Sequence, residues 1–338
     1  MSAESVAGAT EPVTARQPRR LSEVSLQVII MIGLLAVLMM VSQAANSNFL
    51  SAYSLKTLSR DVAILSLFAL GQAIVLIAGG IDLSVGSVMC FVGVNAIWLL
   101  SPDYGQVGMP FPLVVLLALL FAAGVGILHG LAVCLVRLPP FMVTLCSLLV
   151  FRSLARGITG DREVAYRVED FPAFSFLGNG WSLLFPAVAL AIVLSLLVFF
   201  MHYTVHGRYL YAIGFNLEAA RFSGVRVHRL RIVSYVLCGL LAGLAGLIEA
   251  SSVKSVAPST AGMAYELYGI TAAVLGGCAL RGGQGSLVGV VIGAAILKVL
   301  QKMIIFLNLP THLTDAVIGL VLLAAVIADA LVKRRRGT

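Results

Sequence analysis

The chain has 338 residues, 60% of them hydrophobic and 11% charged, with a mean hydropathy of +1.02. Soluble globular proteins are about 45–50% apolar and about 25% charged, so this composition excludes a soluble enzyme, a disordered chain and a collagen-like fibre. At about 20 apolar residues per bilayer-spanning helix, the apolar content supplies roughly ten spans. The net charge of +8 does not signal nucleic acid, because the basic residues flank hydrophobic runs, as Lys and Arg do at the cytoplasmic ends of membrane helices.

Residues 1–23 are polar and read as a disordered cytoplasmic tail. A cleavable signal peptide would carry its apolar run nearer the start and end it with a cleavage site. Charge-free runs then predict the spans. The first covers about 24–43, the second lies between Asp61 and Asp82, and the third between Asp82 and Asp103. The Pro110–Pro112 pair opens a fourth that ends before Arg137, and Pro139-Pro140 opens a fifth reaching about Gly157. A polar loop at 158–181 precedes a sixth span at about 182–201, and a basic stretch at 202–231 follows it. Further spans are expected at about 231–250, 265–280, 284–302 and 313–332, the eighth and ninth short enough to be re-entrant, and residues 333–338 form a basic tail. Ten spans put both termini on one side. With that side cytoplasmic, 14 of the 23 Lys and Arg residues lie inside, as the positive-inside rule requires.

The 202–231 stretch contains Asn216-Leu217-Glu218-Ala219-Ala220-Arg221-Phe222-Ser223-Gly224. Asn216 is a good N-cap, and Glu218 sits in the first turn, where the helix dipole favours an anion. The alanines favour helix, and Gly224 can take the left-handed position that ends it. The result is a short cytoplasmic helix, either lying on anionic lipid or presenting a surface to another protein. Asp82 interrupts an otherwise charge-free region: Gly79-Gly80 permits a helix break, and Asp82 with Ser84 can cap the helix that follows. Intramembrane acids also face polar cavities, so Asp82 is a candidate for lining a route. Gly282-Gly283 before Ser286 is a second break, and paired breaks point to a transport site between repeats. Arg152 and Arg156, four residues apart on one helix face, either snorkel to the headgroups or line a vestibule.

These segments also carry a resemblance. Glu218-Ala219-Ala220-x-x-x-Gly224 resembles the coupling motif of permease subunits of ATP-binding-cassette importers. Gly79-Gly80-Ile81-Asp82-Leu83-Ser84-Val85-Gly86-Ser87 is similar to the signature of the ribose/xylose/galactose permease family. So are Pro140–Leu145, His206-Gly207-Arg208 with Tyr211–Gly214, Tyr265-Glu266-Leu267 with Gly276-Gly277, and Gly282–Ser286, in family order from about residue 50 to 295. The resemblance implies an all-α polytopic membrane protein of the bacterial inner membrane, with its permease domain at 24–332. It implies a permease working as a pair, as two copies or with a sister permease, together with separate ATPase subunits and a periplasmic sugar-binding protein. Glu218, Ala219, Ala220 and Gly224 are then the ATPase-coupling residues, and Asp82, Ser84, Ser87, Arg152, Glu266, Gly282 and Gly283 the candidates for the translocation path. The chain departs from the family pattern at Tyr268, at Cys278-Ala279, and at Lys298 and Lys302, positions that bear on substrate.

No G-x-x-x-x-G-K-[S/T] phosphate loop occurs, so the chain is expected to bind no cofactor itself, ATP being used by the partner subunit. No Ser–His–Asp set or metal-ligand spacing appears, and the catalytic and metal positions are expected to be none. His202, His206 and His228 read as solvated loop residues, His129 and His312 as lying near span ends, and the five cysteines as packing residues. The alternatives are a permease for branched-chain amino acids or nucleosides, or an ion-coupled secondary transporter using Asp82, Glu249, Glu266 and Asp315.

Overall fold

The computed structural model describes residues 20–102, 108–307, 310, 314–317, 319, 320, 323 and 327. The basic tail 333–338, His312, and most of the 1–23 tail and of the tenth expected span lie outside them. Helices α1 (Arg20–Ala45), α2 (Ala52–Ile77), α3 (Val85–Leu100), α4 (Phe111–Cys134) and α5 (Pro140–Thr159) come first. The loop expected at 158–181 holds β1 (Val164–Ala165) and α6 (Pro172–Leu183); α7 (Phe185–Val198) then continues through a π-helical turn at Phe199–Tyr203. Helices α8 (Val205–Phe215) and α9 (Leu217–Phe222) lead into α10 (Val227–Val253), β2 (Ser255–Val256), α11 (Tyr265–Leu275) and α12 (Leu287–Phe306).

Seven of these helices are long and apolar enough to cross a membrane: α1, α2, α4, α5, α7 with its π turn, α10 and α12. The all-α polytopic fold is the one expected, with corrections to its parts. Helix α2 begins before Asp61 and carries both Arg60 and Asp61, which pair at 3.2 Å (Nε to Oδ1). Helix α12, expected to be short, is a full 20 residues. The 16 residues of α3 reach only about 24 Å at about 1.5 Å per residue, against a hydrocarbon core of about 30 Å. The 11 residues of α11 reach about 16 Å, because Gly276-Gly277 ends the helix.

Helices α2 and α10 are mostly buried, whereas α1 and α5 expose apolar faces such as Ile29, Ile32 and Met40, and Phe141, Met142 and Leu149. Those faces suit lipid. Helix α10 packs on α2, α3 and α4, and its contact with α4 is made by small residues spaced four apart. A Cβ on Gly126 would sit 2.4 Å from the Tyr235 carbonyl oxygen, and one on Gly239 would sit 2.3 Å from that of Ala122. Such backbone approach is how helices pack where lipid supplies no hydrophobic drive. The pairing of Val164 with Val256 and Ala165 with Ser255 ties the α5–α6 loop to the end of α10. That defines one end of the bundle; α8, α9 and the start of α10 define the other.

Gly126→Ala should therefore lower the thermal stability of the purified chain, since a backbone oxygen cannot yield. Gly124→Ala, on the same helix with nothing within 4 Å, should be neutral or stabilising by up to about 1 kcal/mol. Thermal unfolding followed by size exclusion in detergent would check both.

Candidate translocation site and coupling segment

Asp82 lies in the break between α2 and α3 and is 2% exposed. Its Oδ1 accepts from the Ser84 amide at 2.8 Å and from the Ser84 hydroxyl at 2.6 Å. Asp82 thus forms an Asx-type turn ahead of α3. Ser84 occupies the N-cap position without a side-chain cap bond, its hydroxyl having turned back to Asp82. Ser87 donates to the Ser84 carbonyl at 2.8 Å.

The second carboxylate oxygen of Asp82 lies 3.5 Å from His129 Nδ1, and His129 Nε2 is 2.7 Å from the Ser147 hydroxyl on α5. Fully buried Gln72 donates from Nε2 to the Asp82 carbonyl, and Tyr235 donates to the Ile81 carbonyl at 3.5 Å. One polar node thus joins α2, α4, α5 and α10 to the break. His129, expected near a span end in no particular role, is 2% exposed at the heart of this node. Its signal was present in the sequence: on α4 it shares the small-residue face of Ala122, Gly126 and Gly130, seven residues after the first and three after the second.

Glu266, at the start of α11, lies against Gly86 of α3. A Cβ on Gly86 would meet the Gly262 carbonyl oxygen at 2.2 Å and Glu266 Oε2 at 2.6 Å. Arg152 reaches the same region from α5, donating to the Ala261 carbonyl and, at 3.1 Å, to that of Pro258. Arg156 turns away to hold Asp161 at 2.9 and 2.7 Å, and that guanidinium keeps the exposed Asp161 carboxyl below its usual range. The two arginines do not act together.

Gly282 and Gly283 lie apart from this node and against the first break. Gly283 donates its amide to the Ile77 carbonyl at 2.9 Å. A Cβ on Gly282 would sit 2.9 Å from Gly214 O and 3.0 Å from Gly79 Cα, and one on Gly214 would sit 1.8 Å from Ile77 O. The two breaks therefore meet at Gly214, two residues before the N-cap of α9. Tyr211, on α8, donates to the Gly285 carbonyl at 3.1 Å. Burial pushes its phenol up to about 12, so it remains a donor at neutral pH.

Helix α9 forms as its residues dictate. Asn216 caps it by accepting from the Ala219 amide at 2.9 Å, and Gly224 adopts φ +79° at its end. Glu218 and Ala219 are exposed, but Ala220 is buried. Phe222 is 86% exposed and Phe215 is 71% exposed, an apolar pair that the motif alone did not single out. Lys302, unexpected within α12, donates to Thr57 Oγ1 at 2.9 Å and to the Ser54 carbonyl; Lys298 stands 5.4 Å over the Tyr265 ring. Tyr268, where an acid was expected, donates to Asp315.

Residues 54–326 match the family described as branched-chain amino acid transport system / permease component. The chain is 34% identical to the ribose import permease protein RbsC of Escherichia coli K12 over 87% of its own length and 91% of that protein's. It is 31% identical to the xylose transport system permease protein XylH of the same strain, over 93% and 94% of the two chains. It is 32% identical to the autoinducer 2 import system permease protein LsrC of Yersinia enterocolitica, over 83% and 76%. No solved structure matches it. The chain belongs to this permease family, as its ordered motifs implied, and is a multi-pass membrane transport protein.

The Asp82–His129 contact should be energetically real. Asp82→Asn and His129→Gln should each destabilise the purified chain, with a coupling of about 0.5–3 kcal/mol between them in a double-mutant cycle. Strictly additive losses would show that the 3.5 Å approach carries no interaction.

Proposed function

We propose that the chain is the membrane subunit of an ATP-binding-cassette importer for a monosaccharide, moving the sugar between two permease copies or a permease and its sister. ATPase subunits dock on the 216–224 segment and a sugar-binding protein delivers substrate to the opposite end of the bundle. On this reading both termini are cytoplasmic, the chain binds no cofactor, and ATP is consumed by its partner. The observation that carries the reading is the capped helix α9, held at the point where the two glycine breaks converge. Identities of 31–34% to ribose and xylose permeases over most of the chain support the substrate class. A branched-chain amino acid is the second reading, favoured by the description of the matched family. Labelled ribose or xylose against labelled leucine, in uptake by cells carrying the whole transport system, separates the two.

The docking surface is the exposed side of α9: Glu218, Ala219, Phe222 and the turn at Gly224. Phe222→Asp and Ala219→Arg should each abolish ATP-dependent uptake and reduce co-purification of the ATPase, with membrane insertion intact. Gly224→Val should do so through left-handed strain of about 1–2 kcal/mol. Glu218→Gln should do less, since an exposed helix-end charge contributes about 0.3–1 kcal/mol. Ala220→Arg should instead damage the chain's own packing, because Ala220 faces inward. Normal uptake and ATPase retention in Phe222→Asp and Ala219→Arg would remove the docking assignment.

A further inference from the structure

At the end of the bundle opposite α9, a cavity of about 540 Å³ opens between the start of α2, the kinked end of α6 and the end of α10. Its volume falls within the range of about 300–1,000 Å³ typical of small-molecule sites. Lys56, Arg60 and Lys254 line it, with the polar groups of Tyr53, Asn179, Ser182 and Ser252, and among the described residues no acidic side chain does. Arg60 is paired with neighbouring Asp61; Lys56 and Lys254 have no ion-pair partner among the described residues. The Ser252 hydroxyl is buried and makes no hydrogen bond there.

The walls are also conformationally unusual. Trp181, Ser182 and Leu183 have φ values of +45°, +54° and +78°, and Lys254 has +68°. Left-handed backbone is disfavoured for residues with side chains, and such strain concentrates at ligand clamps. Here it falls on two unconnected segments that face one another across a single cavity.

We propose that this cavity binds an anionic polyol, a sugar bearing a carboxylate or phosphate, as it enters the permease. The inference rests on the sugar-permease reading and deepens it. Unpaired ammonium groups recognise the acid, while Asn179, the serines and Tyr53 recognise hydroxyls. Lys254 is exposed and Lys56 half-buried, so both ammonium groups are open to an arriving anion.

The test uses the full chain in phosphatidylcholine nanodiscs, with D-ribonate and D-ribose as probes that share a carbon skeleton. Ribonate should raise the thermal unfolding midpoint and bind in calorimetry at least tenfold more tightly than ribose. That preference should shrink between 50 and 500 mM salt, as charge attraction is screened. Lys56→Gln and Lys254→Gln should each weaken ribonate binding several-fold. Ribose binding as tightly as ribonate would overturn the proposal, as would ribonate binding indifferent to both substitutions. If ribonate has no effect but the substitutions lower the phosphatidylglycerol that co-purifies with the chain in detergent, the anion is a lipid headgroup and the sugar-acid assignment is wrong. Should Lys56→Gln fail to fold, the salt dependence and Lys254→Gln decide the matter. Co-purification of the ATPase with the wild-type chain, measured in parallel, reports on the permease reading separately.

Discussion

The structure turns on what happens to the backbone where α2 stops inside the apolar bundle. In a hydrocarbon medium every unpaired N–H or C=O costs several kcal/mol, and the break at 78–84 releases a run of them. Several of these groups find specific partners. Gly79 and Gly80 donate back to Leu76 and Val75, and Ile77 accepts from the Gly283 amide. Ile81 accepts from Tyr235 and Asp82 from Gln72. The acceptors are therefore served by α2, by α10 and by the other break, and the positions of all three are fixed by that need. Asp82 adds the contact to His129, bringing in α4 and, through Ser147, α5.

The same accounting makes the glycines intelligible as contacts. Gly214 and Gly282 leave no room for side chains because backbones converge there, whereas Gly79 is set by its left-handed φ of +75°. Gly214 belongs to α8, two residues before the cap of α9, so on the proposed reading a push on α9 is delivered directly to both breaks. Tyr211 anchors α8 to the second break one turn earlier. A short rigid helix followed by a backbone-to-backbone contact transmits displacement with little loss, since packed interiors are nearly incompressible.

Much of this was legible in the sequence. Charge-free runs located the long helices, although α2 starts at Ala52, before Asp61, and α3 and α11 are too short to cross. Asn216 and Gly224 gave both ends of α9, because capping chemistry is local and depends on few residues. Asp82, Ser84 and Ser87 lie together, since a turn brings neighbours together. What could not be read depended on packing between distant segments. Arg152 and Arg156, paired by helix periodicity, point to different partners because the 258–261 carbonyls and Asp161 lie in different directions. Gly282 and Gly283, grouped with Asp82 as one path, sit with Gly79 and Gly214 instead. Ala220 has the composition of a contact surface but turns inward, and only tertiary contact decides which face of a six-residue helix is covered. His129 could have been found from the stripe of small residues it shares.

The central claim is that the coupling segment acts on the helix breaks through Gly214. Gly214→Ala tests it most directly, since the added Cβ would fall 1.8 Å from the Ile77 oxygen while leaving the exposed face of α9 untouched. In cells carrying the complete transport system, the account predicts that this variant inserts and still co-purifies its ATPase but loses ATP-dependent uptake. Uptake at the wild-type rate would contradict it.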